Sequence, residues 1–199
     1  MGEFVHLHLH TEYSLLDGAA KVDDLIDYLV ENGIDACAVT DHGNMYASLY
    51  FAEECAKKGI KYIIGCELYA TDDHFDKRAG TKTEHIILLA KNKTGYKNIV
   101  KLDSLSYIDG FYGKPRVDLE LLRKHHEGLI ALSACLAGAI PQYLLEEDFA
   151  SAKEYALKMA DIFGPDNFYL ELQDHGIDEQ RPVNQGVMRI ARETGLPLV

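Results

Sequence analysis

The sequence predicts an α/β fold in which short strands alternate with helices around a parallel sheet or barrel. Apolar runs of strand length and segments of helical periodicity follow one another about six times along the chain. The apolar runs are nearly continuous, as expected for strands buried on both faces. At 199 residues the chain is long enough for one domain, over residues 1–199, with a substantial core.

The first elements follow from hydrophobic spacing and from glycines. Residues 6–10 (HLHLH) alternate polar and apolar side chains, which predicts a strand. Apolar residues at helical spacing predict a helix over residues 22–32, and Gly33 ends it. An apolar strand over residues 36–40 follows, and then a helix over residues 44–58.

The remaining elements continue the alternation to the last residues of the chain. Further strands are predicted over residues 60–70, 86–90, 129–134, 168–172 and 196–199. Further helices are predicted from about residue 95, over 119–126, in two stretches on either side of the acidic residues 146–148, and over 178–194. Polar loops are predicted over residues 71–83 and 110–118.

Composition excludes several classes of protein. The net charge of −12 argues against a broadly basic nucleic-acid-binding surface, although clustered cations would reverse the sign locally. No apolar run approaches the ~20 residues of a membrane span, and we expect no membrane partner. The four cysteines form no CxxC pair and no secretory signal opens the chain, so we expect reduced thiols in a cytoplasmic protein.

The strand HLHLH predicts a metal site. In an extended strand His6, His8 and His10 share one face, so two imidazoles can reach one ion. His6 lies deeper along the strand, and we expect it in the barrel interior as a supporting or core residue. Asp41 precedes another histidine and is expected to orient a ligand without binding the ion.

Metal-ligating residue types recur where the predicted strands end. These residues are His8, His10, His42, Glu67 and Cys135. The carboxyl ends of barrel strands meet at one mouth, so these side chains are expected to converge. His85 is the odd one, because it opens a strand. Histidine, carboxylate and cysteine ligands suit Zn²⁺, with Mn²⁺ or Fe²⁺ acceptable, and their number exceeds the need of one ion. A multinuclear site suits phosphoryl chemistry.

Several of these residues have simpler interpretations that the sequence leaves open. Asp17 precedes Gly18 and could be a turn residue only. Glu67 could pair with a lysine, and His85 could bond a backbone carbonyl. Cys135 could be a small buried side chain, the commonest fate of a free cysteine.

The motifs HLHLHTEYSLLDGA, TDHGNM, GCELY, EHIILLAKNKTGY, LSAC and FYLELQDHG, in this order, span the chain. Together they resemble the PHP (polymerase and histidinol phosphatase) domain family, in the form found at the N-terminus of bacterial replicative DNA polymerase III α subunits. The resemblance implies a distorted seven-stranded (β/α) barrel with a trinuclear metal centre. The implied ligands are His8, His10, Asp17, His42, Glu67, His85 and Cys135.

The resemblance also implies that this chain is a fragment. The final Asp and His ligands of the family follow the strand that begins near residue 196, so they would lie beyond residue 199. We therefore expect a last strand that is truncated and a longer polymerase chain. Its partners would be the primer 3′ end of DNA, the remaining polymerase domains and other replisome subunits.

The implied activity is 3′–5′ exonuclease proofreading by three divalent ions, Zn²⁺ and/or Mn²⁺ with Fe²⁺ also acceptable, with a metal-bound water as nucleophile and no separate protein base. Two alternatives stay open, namely a small-molecule phosphatase of the histidinol-phosphate kind and a non-catalytic structural module that docks a partner. Four basic loop residues are expected to contact the DNA backbone, or to be ordinary solvated charges. They are Lys77, Arg78, Lys114 and Arg116.

Overall fold

The computed structural model describes residues 4–15 and 17–199. In these residues the strands are β1 (Ala36–Val39), β2 (Lys61–Thr71), β3 (Glu84–Ala90), β4 (Arg116–Asp118), β5 (Leu129–Leu132) and β6 (Phe168–Tyr169). The helices are α1 (Val22–Glu31), α2 (Ser48–Lys58), α3 (Lys93–Ile108), α4 (Leu119–Lys124), α5 (Ala139–Leu145), α6 (Phe149–Phe163) and α7 (Gln180–Thr194). This interleaving confirms the predicted α/β class.

The six strands form one mixed sheet in the order β1-β2-β3-β5-β6. β4 pairs with β2 on the edge opposite β3, because Tyr69 of β2 lies between His85 of β3 and Arg116 of β4. The prediction of a parallel sheet is wrong for β3, which runs antiparallel to both β2 and β5. The reason is that residues 72–83 join β2 to β3 without a helix, so the chain reverses instead of crossing over.

The sheet curves around an interior cluster to which its two ends both contribute. Leu7, from the first segment, and Tyr169, from β6, pack against the same buried apolar side chains, which include Ile87 of β3. In the described part of the chain, no backbone hydrogen bond joins residues 5–10 to residues 196–199. The fold is therefore of the barrel type without demonstrated closure.

Helices cover the outside of this sheet. α1 and α2 pack against β1 around buried residues such as Leu29 and Phe51. α3, α4, α6 and α7 pack over the other strands around a larger core that includes Leu88 and Phe168. Within residues 4–15 and 17–199, none of the helices combines the length and the apolar character that crossing a bilayer requires.

Both terminal segments form less regular structure than predicted. His6 makes an isolated parallel bridge to Cys37 of β1, and Leu198 makes one to Leu170 just after β6. The chain bends at His8, so strict alternation is lost: Leu7 packs on the interior cluster, whereas Leu9 packs on the cluster under α1 and α2. His6, His8 and His10 therefore do not all share one strand face, as the alternating pattern predicted, because the strand is interrupted at His8.

Candidate metal centre

The carboxylate of Glu67 lies at the centre of four histidines. Its Oε2 is 2.7 Å from Nε2 of His8 and 3.3 Å from Nε2 of His10. Its Oε1 is 3.0 Å from Nδ1 of His42 and is also in contact with Nδ1 of His85. Glu67 is fully buried. We call Glu67 and these four histidines the Glu67 cluster.

The sheet itself brings Glu67, His42 and His85 together. Glu67 is in the second half of β2, and His42, shortly after β1, forms a parallel bridge with it. Backbone hydrogen bonds on either side, from Glu67 N to Asp41 O (3.0 Å) and from Gly43 N to Glu67 O (2.7 Å), fix this register. β3 runs the other way, so its second residue, His85, lies beside the end of β2. His85, near the start of the antiparallel strand β3, therefore lies at the same edge of the sheet as His42, which follows the end of β1.

A small hydrogen-bond network orients His10. The hydroxyl of Ser14 donates to Asp41 Oδ1 at 2.8 Å, because a carboxylate can only accept. The hydroxyl oxygen of Ser14 itself accepts from the backbone N–H of His42 and lies 3.2 Å from Nδ1 of His10. Since the one Ser14 proton is used, His10 Nδ1 must be the donor, which leaves Nε2 free to face Glu67. Asp41 therefore acts on His10 through Ser14, and it also accepts from the backbone and hydroxyl of Thr11.

The other two predicted ligands border the cluster, and His6 does not. Asp17 Oδ2 is 2.7 Å from Nε2 of His42, and its side chain is 55% exposed. Cys135 Sγ is 3.7 Å from Nδ1 of His85. The ring of His6 packs edge-on against Phe4, with centroids 4.9 Å apart. The expectation of His6 in the barrel interior is wrong, because the adjacent Leu7 occupies the interior cluster.

Two residues of the site were missed by the sequence analysis. Glu171 Oε1 lies 2.7 Å from Nδ1 of His8, and Gln173 Nε2 donates to the same oxygen at 2.7 Å. Both residues follow β6. The rule that selected Glu67, a polar residue where an apolar strand ends, applies equally to Glu171 in the motif FYLELQ and would have found it.

The carboxylates and imidazoles of the cluster shift one another's pKa values. Burial lowers the pKa of His8, but the carboxylates of Glu171 and Glu67 outweigh burial and raise it to about 10. The pKa of His42 is also raised, because Glu67 and Asp17 outweigh its burial. Burial would raise the pKa of Glu67, yet the four histidines around it lower that pKa strongly. Burial, with the nearby charge of Glu67, raises the pKa of Cys135 to about 11.

The donor set fits divalent metal ions. The ligand atoms of His8, His10 and Glu67 all lie within 4.8 Å of one another, and so do those of His42, Glu67 and His85. Among the described residues, the buried atoms His42 Nδ1 and Glu67 Oε1 have no hydrogen-bond partner despite their proximity. Buried ligand-competent atoms normally have partners, so this pair is suited to an ion between them. Glu67 belongs to both groups, one through each oxygen.

Of the four basic loop residues, Lys114 is the one that contacts Tyr69, a residue packed against the cluster in the described chain. Its ammonium lies 4.5 Å from the ring centroid of Tyr69. That ring is nearly parallel to His42, with centroids 6.0 Å apart, and edge-on to His85 at 5.1 Å. Pro115 of the same loop lies close against Gly43, where an added Cβ would be 2.6 Å from Pro115 Cγ.

The prediction that Arg116 contacts DNA is wrong. The side chain is 1% exposed and belongs to β4, not to a polar loop. Its guanidinium donates to the carbonyls of Gly110, His74 and Asp76, which holds the loop over residues 72–83 to the segment that follows α3.

Lys77 and Arg78 make contacts outside the cluster. Lys77 Nζ donates to the carbonyls of Asp109 and Phe111, and Arg78 forms a bidentate pair with Asp76. The Arg78 side chain is 87% exposed. The structure does not bring either residue into contact with the Glu67 cluster.

A second group of ligand-type residues consists of Asp73, His74 and Asp118. His74 Nδ1 is 2.5 Å from Asp118 Oδ2, and both residues are buried. Asp118 also accepts from the backbone N–H of Leu121, so it caps the start of α4. These contacts account for the pair as a structural element.

The chain is similar in sequence to a known protein family and to several named proteins. The family described as "PHP domain" matches residues 6–175. The DNA polymerase III subunit alpha of Treponema pallidum is 50% identical over 98% of this chain, and that of Thermus aquaticus is 45% identical over 99%. In both comparisons the chain spans 17% of the length of the relative.

Solved structures give weaker similarity. A protein described as a candidate metal-dependent phosphoesterase from Bifidobacterium adolescentis is 13% identical with a TM-score of 0.49, over 100% of this chain and 86% of that one. An amidohydrolase from Chromobacterium violaceum is 14% identical with a TM-score of 0.46, over 94% of this chain and 96% of that one.

Proposed function

Because the chain belongs to the PHP domain family, we propose that the Glu67 cluster holds divalent metal ions and hydrolyses phosphate esters. The observation that carries this proposal is the position of Glu67 between two groups of histidines, each facing a different carboxylate oxygen. A carboxylate shared in this way suits two neighbouring ions, the arrangement that favours displacement at phosphorus.

The residues of the cluster divide between the ions. His8 and His10 would hold one ion and His42 and His85 the other, with Glu67 shared. Asp17 and Cys135 extend the set at His42 and His85, which supports a third ion. The mixture of imidazole, carboxylate and one thiol suits Zn²⁺ and also admits Mn²⁺ or Fe²⁺. Bound ions of this kind lower the pKa of water toward ~7 and neutralise charge on phosphoryl oxygens.

The protein's own residues prepare this site for a phosphate. Asp41 and Ser14 hold the proton of His10 on Nδ1, so that Nε2 stays available. Lys114 supplies a positive charge over the ring of Tyr69, which packs against His42 and His85, and it would bind a phosphate oxygen of the substrate there.

We propose the 3′ end of DNA as the substrate and 3′–5′ exonuclease proofreading as the activity. The support is the 50% identity to a relative named DNA polymerase III subunit alpha. The remaining polymerase domains and other replisome subunits would then be partners. A purely structural metal centre is the second candidate, since the Glu67 cluster joins segments as distant in sequence as His8 and His85.

The test compares hydrolysis of a 3′-labelled single-stranded DNA with that of p-nitrophenyl phosphate, with Mn²⁺ or Zn²⁺ and after EDTA. His10→Ala should abolish metal-dependent release of nucleotides from the 3′ end. His126→Ala is the matched control, since His126 is exposed and its ring bonds only the Arg123 carbonyl in the described structure.

Each other outcome selects an alternative. Hydrolysis of the monoester alone would indicate a small-molecule phosphatase. A rise in melting temperature with metal but no hydrolysis of either substrate would favour the structural role. Undiminished DNA degradation by His10→Ala would refute the site.

A further inference from the structure

Glu171 is a buried carboxylate that faces the cluster from the far end of the sheet. Its side chain is 6% exposed, although it carries a charge that burial would normally disfavour. Its backbone N–H donates to Ser133 Oγ at 2.8 Å, and Gln173 Nε2 donates to its Oε1 at 2.7 Å. The Gln173 bond holds the carboxylate oxygen, and the Ser133 bond holds the backbone from which the side chain extends.

That carboxylate meets His8 on the side away from Glu67. Nδ1 of His8 is 2.7 Å from Glu171 Oε1, and Nε2 is 2.7 Å from Glu67 Oε2. A carboxylate accepts and does not donate, so the proton on the Glu171 side is carried by Nδ1. Nε2, which lies beside Glu67 Oε2 and 3.2 Å from Nε2 of His10, is then the nitrogen that binds a metal ion once the ion displaces its proton.

We infer that Glu171 is a positioning residue, which fixes the tautomer and the ring orientation of His8 so that Nε2 is presented to a metal ion. Histidine ligands commonly hold their second nitrogen in this way, and loss of the supporting carboxylate weakens metal binding by about 10- to 100-fold. The inference rests on the metal centre proposed above, and it does not require that the centre be catalytic.

The contact also has a consequence for the fold. His8 belongs to the segment beside β1, whereas Glu171 follows β6 at the other end of the sheet order. The pair therefore connects the two ends of the curved sheet by side chains. Metal binding at His8 would then depend on residues that are 163 positions apart in the sequence.

The experiment measures Zn²⁺ affinity of the purified protein by competition with a chromophoric chelator, without any phosphate ester. Glu171→Ala should weaken Zn²⁺ binding by about 10- to 100-fold. Glu171→Gln should recover part of the loss, because its amide oxygen can still accept from Nδ1 but has no charge. Asp118→Asn is the matched control, since it alters another buried histidine–carboxylate pair that lies outside the Glu67 cluster.

Measuring the Glu171 variant in a protein that already carries His8→Ala distinguishes an effect through His8 from a general loss of stability. If Glu171 acts through His8, then Glu171→Ala should cause no further loss of affinity in that background. Further loss there, equal loss in Asp118→Asn, or unchanged affinity in both Glu171 variants would overturn the inference. Failure of the proposed hydrolysis is distinguishable, because Zn²⁺ affinity would still respond to Glu171 in a protein that cleaves no ester. If the unsubstituted protein binds no Zn²⁺, both proposals fail.

Discussion

The Nδ1 atom of His85 faces the Oε1 atom of Glu67 although the two residues lie on strands of opposite direction. β3 starts where β2 ends, and His85 pairs with Tyr69, two residues beyond Glu67. In a wholly parallel barrel a residue at the start of a strand would lie at the opposite mouth. The reversal of β3 is therefore what makes His85 part of the site.

Glu67→Gln should remove high-affinity binding of Zn²⁺ or Mn²⁺ from both histidine groups together. The amide keeps the volume but loses the charge and one acceptor oxygen, and each group contains Glu67. Calorimetric titration should show the loss, and the rise in melting temperature on adding metal should disappear with it. Glu84→Gln, at the first position of β3, provides the control and should bind metal normally. If either histidine group still bound metal with high affinity in Glu67→Gln, the shared role of Glu67 would be contradicted.

The sequence predicts the elements, and the residues that cluster around Glu67, better than it predicts which basic side chains are exposed. Strand ends could be located from apolar runs, so His42, Glu67 and Cys135 could be predicted to converge. The direction of β3 could not, because it depends on whether residues 72–83 form a helix or a loop. Lys114 and Arg116 show the same limit, since two cations in one short motif differ completely in burial. Only tertiary packing against Gly110 and His74 determines that Arg116 is internal.

Lys114→Ala should raise KM for single-stranded DNA while leaving kcat much less affected. The exposed ammonium beside Tyr69 is proposed to bind a backbone phosphate, which adds affinity without contributing to bond cleavage. Loss of one phosphate contact should also reduce the slope of log KM against log salt concentration by about 0.7. Lys158→Ala, on the exposed side of α6, should change neither quantity. An unchanged salt slope in Lys114→Ala would show that Lys114 does not contact the substrate.

Arg116→Leu should destabilise the protein by about 3 kcal/mol, because buried carbonyl groups lose their donor. The affected carbonyls belong to Gly110, His74 and Asp76. Urea unfolding monitored by circular dichroism measures the effect. Arg78→Leu removes an exposed ion pair and should leave stability essentially unchanged, because solvent screens that pair. Equal stability of the two variants would argue against a structural role for Arg116.

Asp103 predicts a pH dependence of stability that is independent of the metal centre. Burial raises the pKa of this carboxyl from 3.8 to about 6, and its Oδ1 has no hydrogen-bond partner among the described residues. The folded state therefore keeps the proton to a higher pH than the unfolded state does. Stability from this group is full below pH 3.8 and is lost as pH rises through 6.

Asp103→Asn should accordingly stabilise the protein at pH 8 by about 1 kcal/mol, a value reduced from the full shift because the group is only partly buried. Near pH 4 the two proteins should unfold at the same urea concentration, since Asp103 is then mostly neutral when folded. Asp166→Asn, at an exposed position, should show no such pH-dependent difference. A stabilisation by Asp103→Asn that is equal at pH 4 and pH 8 would mean that the charge of Asp103 is not its cause.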